Sequence, residues 1–173
     1  MGKVIKKYEL TDETINHEGK ILHRICALRD FCTVKAGDLG GFIESEYNLS
    51  HEGDCWVYHD AKVFENAAIT DDAFVCNTAS VYGNANVYNS AMVCDTSHIY
   101  DDAEIYDDAE IHSNAIIHGS AQIHEDAHIG RDAEIYGDVR IQGSARVSHV
   151  KMRGNTHITG DTVICGNFVI DEY

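Results

Sequence analysis

Eleven histidines, six cysteines and nine tyrosines carry most of the chemistry open to this chain of 173 residues. His112, His118 and His124 stand six apart, and three imidazoles on one face would suit zinc. Tyr82, Tyr100, His118 and Tyr136 recur at eighteen residues, as do Tyr88, Tyr106 and His124. Rows of this kind form self-stacking ladders, or a platform for a planar ring such as a nucleobase. Arg131, Arg140, Arg146, Lys151 and Arg153 crowd residues 131–153 against three acids, Asp132, Glu134 and Asp138. Such a basic collar seats a phosphate or carboxylate, or pairs with acids of a neighbouring subunit. No Gly-rich phosphate loop is present, and no Cys–His pair has a recognisable context. No catalytic residue, metal site or cofactor is therefore expected.

What these groups can do depends on the elements that carry them. From Val57 to Val147 every sixth residue is Val or Ile, sixteen in succession. Four residues after each comes a small side chain, Ala at most positions, with Ser97 and Val139 as departures. Turn formers such as Gly83-Asn84, Asp101-Asp102 and Gly137-Asp138 lie between. A six-residue period fits neither an amphipathic helix nor a long strand. It fits a short strand and a corner, repeated. The expected fold is all-β: a single-stranded parallel β-helix, triangular in section, with three hexads per coil. The aliphatic residue points inward, and the small residue two before it fits the crowded corner. The absence of proline suits an unbroken ladder of about six coils. The Asp-rich corners are explained by turn geometry.

This geometry sends His112, His118 and His124 to three faces, so one subunit cannot bring them to one ion. Outward residues stack in rows about 4.8 Å apart. One face stacks Trp56, Tyr58, Phe74, Cys76, Met92 and Cys94, then Glu110, His112, His128, Gly130 and Arg146. The first six are apolar for an outward face, and Trp56, Tyr58, Phe74 and Met92 are candidates for a subunit interface. A ligand groove or cover by the N-terminal residues are the alternatives. Tyr82, Tyr100, His118, Tyr136, Arg131, Arg140 and Arg146 are the candidate ligand-binding residues. Cys76 and Cys94 are near enough to bond, but packing as small apolar groups is the preferred reading.

Residues 1–33 escape the period. Thr14 to Leu28 reads as two strands about Glu18-Gly19, a hairpin over the sticky edge of the first coil. Residues 34–56 are a transition, with Ile43 and Leu49 six apart, and the β-helix runs over 57–173. After Val147 the inward series continues at Met152, Ile158, Ile164 and Ile170, so one residue is missing near 148–150, before a C-terminal cap. The formal charge of −16 argues against duplex nucleic acid as a partner. No apolar run is long enough to span a membrane, and no secretory signal opens the sequence. The cysteines then read as free thiols in a reducing cytoplasm.

Residues 35–45, KAGDLGGFIES, and 52–58, EGDCWVY, lead directly into the hexads. With the segment Arg24 to Phe31, they resemble the YdcK-like hexapeptide-repeat proteins, a bacterial and phage-borne group. The likeness extends over essentially the whole chain. It implies left-handed coiling and a homotrimer, as in the wider superfamily of acyltransferase-like β-helices. It supplies no activity to carry over residue by residue. The expected function is a non-enzymatic trimer that holds a small anionic or aromatic ligand, such as a nucleotide signal, at subunit clefts or docks a partner. An acyltransferase-like enzyme and a purely structural scaffold are the alternatives.

Overall fold

The computed structural model describes residues 5–172, which are almost entirely β. Short strands recur every six residues from Trp56–Val57 to Arg140–Ile141. As far as His128–Gly130 each lies parallel to, and in register with, the strand eighteen residues on, and the last two pair seventeen residues on. Phe74–Val75 pairs Met92–Val93, Ser80–Val81 pairs His98–Ile99, and Asn86–Val87 pairs Glu104–Ile105. These pairings define three faces. The first starts at Trp56–Val57, the second at Phe42–Ile43, and the third at Leu49, which bridges to Ile69. The result is a β-solenoid of about seven turns, one more than the hexads alone suggest. The extra turn arises because coiling begins at Ile43, ahead of the first strict hexad.

The period has a steric cause. Inward residues from Val57 to Ile141, and the alanines two before them, are fully buried. Between faces, the residue two after each inward one has a positive φ, as at Asp71 (55°), Asn77 (61°), Asp101 (58°) and Gly119 (70°). This left-handed conformation favours Gly, Asn and Asp, so the corners collect them. The corner acids then bind the next coil. The amides of Asn89, Ser113 and Gly119 donate to Asp71, Asp95 and Asp101 at 3.2, 2.9 and 3.1 Å. Asn77, Asn84 and Asn89 donate to Asp95, Asp102 and Asp107, each at 2.8 Å. Much of the chain's acidity is thus spent on coil-to-coil hydrogen bonds. Where a hydroxyl replaces Ala it donates to the carbonyl three residues back, as Ser97 does to Cys94 (2.6 Å) and Thr156 to Arg153 (3.2 Å).

The missing residue produces a bend. The strand Arg146–Gly154 runs across two faces, pairing first with His128–Gly130 and then with Glu134–Ile135. His149 sits at the shortened corner with φ 56°, and its N–H donates to the Arg131 carbonyl at 2.9 Å. Val150 fills the small position and is buried. The last strand, Val163–Glu172, pairs along this one but breaks register between Ser148 and Val150.

Three antiparallel strands precede the coils: β1 (Tyr8–His17), β2 (Lys20–Ala27) and β3 (Leu39–Ile43). The expected turn at Glu18-Gly19 joins the first two, and β1 begins earlier than the sequence suggests. β3 continues into the second face, so the hairpin extends that sheet. The Gly-Gly of the GDLGGF segment is steric. A Cβ on Gly40 would lie 2.6 Å from the Val57 carbonyl, and one on Gly41 2.5 Å from that of Ala61. Tyr8 donates to the Leu49 carbonyl (2.7 Å), and buried Asn48 donates to those of Ala67 (2.8 Å) and Glu65 (3.0 Å). Lys7 is buried with its ammonium on the carbonyls of Cys55 (2.8 Å) and Gly53 (3.2 Å). Burial pushes its pKa down and that of the neighbouring Cys55 thiol up. The motif segments therefore join the hairpin to the first coil.

Candidate functional site: a cationic cleft on the first face

Two outward rows run along the first face, flanking the inward aliphatic residues. One holds Trp56, Phe74, Met92, Glu110, His128 and Arg146, paired coil to coil. The other follows the inward residues and holds Tyr58, Cys76, Cys94, His112, Gly130 and Ser148. Trp56 is a correction to the sequence reading. It is 1% exposed, covered within its own chain by Phe31 (ring centroids 5.3 Å) and Tyr8 (6.0 Å). Its side chain belongs to the core, because the N-terminal segment lies over the first coil. Tyr58, Phe74 and Met92 remain half-buried on the face, with Tyr58 edge-on to Phe74 at 6.1 Å. Cys76 and Cys94 also depart from expectation. They form a disulfide with Cα atoms 4.6 Å apart, rather than packing as separate thiols, because parallel in-register coils place the two side chains directly over one another.

Beyond the disulfide the face becomes polar. Gly130 is the reason a cleft exists there. A Cβ at this position would fall 2.2 Å from His112 Cε1, so the imidazole lies over the bare α-carbon. The cleft measures about 160 Å³ and is lined by His112, His128, Gly130, Arg131, Arg146 and Ser148. Glu110 Oε2 lies 3.0 Å from His128 Nδ1. A carboxylate that takes the Nδ1 proton as a hydrogen bond leaves Nε2 as the free nitrogen. His112 Nδ1 is 3.1 Å from Ser113 Oγ. Two guanidinium groups at such a cleft can offer charge-assisted hydrogen bonds to an oxyanion. Drug-sized ligands occupy roughly 300–1,000 Å³. A cleft of about 160 Å³ instead suits a single phosphate or carboxylate group.

Of the basic collar, only Arg131 and Arg146 meet at this cleft. Arg140 lies on the third face, in register with Gln122. Lys151 and Arg153 are already engaged in their own chain, with Glu134 and Asp171. His118 and His124 stand on the other two faces, near Asp101 (3.3 Å) and Asp107 (3.8 Å). His112, His128 and Gly130 were not singled out as binding residues from sequence. The usable signal was the eighteen-residue register, which aligns 110, 128 and 146 in one row and 112, 130 and 148 in the next.

The aromatic rows stack on themselves. Phe64, Tyr82, Tyr100, His118 and Tyr136 lie parallel within 4–11°, with centroids 4.6–5.0 Å apart. Tyr88, Tyr106 and His124 do the same at 4.9 and 4.6 Å. Both faces of Tyr82, Tyr100 and His118 are thus occupied by their neighbours. Only ring edges and hydroxyls face outward, and these three present no face on which a base could stack. Desolvation in the row pushes the pKa of Tyr82 and Tyr88 up to about 12. Between pH 10 and 12 the unfolded chain therefore releases protons that the folded chain retains, so stability falls as pH rises through this window. Tyrosinate absorbance should show these two ionising late. Ionisation of every tyrosine in one step near pH 10, while the fold persists, would contradict it.

No helix among the described residues is long and apolar enough to cross a membrane. No known family model matches the chain. A stretch of 62 residues is 37% identical to a protein of Escherichia coli (strain K12) named as the uncharacterized acetyltransferase YdcK. That match spans 31% of this chain and 19% of the relative, so the likeness expected over essentially the whole chain is shown for under a third of it. The repeat and the coiled architecture fit the hexapeptide-repeat β-helix proteins.

Proposed function

We propose that this solenoid is a non-enzymatic binding protein for a small ligand bearing a phosphate or carboxylate, assembled as a homotrimer through its first face. The convergence of His112, His128, Arg131 and Arg146 on one cleft carries the reading. A nucleotide would enter phosphate-first, with its base outside the cleft and against a ring edge or a neighbouring subunit. The half-buried Tyr58, Phe74 and Met92 supply the apolar part of the subunit contact. Titration calorimetry with inorganic phosphate and a nucleoside monophosphate tests the ligand class. Arg146→Ala should weaken binding about tenfold or more, since a hydrogen bond to a charged group is worth roughly 1.5–3 kcal/mol. No heat and no thermal shift with either probe would refute the anion reading. Sedimentation of the native chain as a monomer would refute the trimer.

Acyl transfer is the second reading. It is favoured by the Glu110–His128 hydrogen bond, which orients an imidazole as a general base, and by the acetyltransferase name of the relative. Turnover of acetyl-coenzyme A that disappears in His128→Gln would establish it over simple binding.

A further inference from the structure

The bend at the missing residue brings together a thiol and an imidazole that the hexad pattern would keep apart. Cys165 pairs in register with Ser148, and after that point the last strand slips against its neighbour. His149 stands at the slip, and its Nδ1 lies 3.9 Å from Cys165 Sγ. Cys165 is exposed. His149 also lines a cleft of about 330 Å³ whose apolar wall is Val150, Phe168 and Val169. Phe168 and Val169 are 48% and 56% exposed, so the wall is open to solvent. The other cysteines differ. Cys76 and Cys94 are bonded, Cys55 is buried, Cys26 is half-buried beside the Ala27 carbonyl, and Cys32 is exposed but has no histidine in hydrogen-bond reach among the described residues.

We propose that Cys165 and His149 form a nucleophile–base pair that accepts an acyl group from a thioester, with the adjoining apolar cleft taking the acyl chain. His149 Nδ1 removes the thiol proton as Cys165 Sγ attacks the carbonyl carbon. A new S–C bond forms, and the donor's C–S bond breaks. The departing thiolate then recovers the proton from His149. Nothing is oxidised or reduced, and one thioester replaces another. The pair lies outside the cationic cleft and does not depend on anion binding there.

The test uses the full chain and an uncharged donor, the acetyl thioester of N-acetylcysteamine, so that the cationic cleft plays no part. Peptide mass mapping should find acetyl on Cys165 at a rate on the order of tenfold or more above that on Cys32, which serves as the internal control. Neutral hydroxylamine should remove it. His149→Asn, whose side chain tolerates the left-handed backbone at this corner, should lower the Cys165 rate to that of Cys32. Equal rates at the two cysteines would overturn the proposal. So would a Cys165 rate unchanged in His149→Asn.

Discussion

Gly41→Ala is expected to unseat the N-terminal hairpin from the first coil. The new methyl would lie 2.5 Å from the Ala61 carbonyl oxygen and 2.6 Å from Val57 Cγ1. The first of these is backbone held in the coil ladder, where the Ala61 carbonyl accepts from the Phe42 N–H at 2.9 Å, so it cannot step aside. Overpacking of this kind costs about 1–3 kcal/mol, and for a chain of this size roughly 2–12 °C in Tm. The chain's single tryptophan gives a direct readout. Trp56 is buried against Tyr8 and Phe31, so displacement of the N-terminal segment exposes it and shifts its emission to the red. Emission and melting unchanged in the variant would show that the glycine pair is not what seats the hairpin.

Ile105→Ala is expected to destabilise the middle of the stack strongly. Ile105 is fully buried and pairs with Val87 below and Ile123 above. Removing its branched side chain leaves a cavity and costs about 2–5 kcal/mol. Each coil touches only its neighbours, so a weak coil in the middle loosens the stack on both sides. The matching change at Ile158, which is only partly buried in a late coil, should cost clearly less. Chemical denaturation of the two variants compares them. Equal destabilisation would mean that the inner column does not carry the stability assigned to it.

The hexad period announced the coils because each inward Val or Ile and each corner Ala meets the same steric demand once per face. The Asp and Asn of the corners were legible for a related reason, since a left-handed residue recurs at the same phase. The hairpin turn at Glu18-Gly19 was also visible. By contrast, Trp56 looks outward in the pattern and is covered by residues some twenty-five to fifty positions earlier in the chain. Its burial depends on how the hairpin folds back, which no local spacing records.

The same division holds at the candidate sites. Rows are a consequence of the eighteen-residue register, so the alignment of Tyr82, Tyr100, His118 and Tyr136 follows from sequence alone. That these rings close on one another, leaving only edges exposed, follows from their side-chain angles within the packed row. The clustering of basic residues in 131–153 was evident, but not its sorting. Arg131 and Arg146 share a cleft, Lys151 and Arg153 find acids of their own chain, and Arg140 lies on another face. Sequence by itself determined the coil, the faces and the phase slip, because those rest on a period that every coil repeats. Tertiary structure alone decided which side chains meet at Gly130, inside the period, and at His149, where it slips. There a missing Cβ or a missing residue changes the path of the neighbours, and that change is set by contacts across coils rather than along the chain.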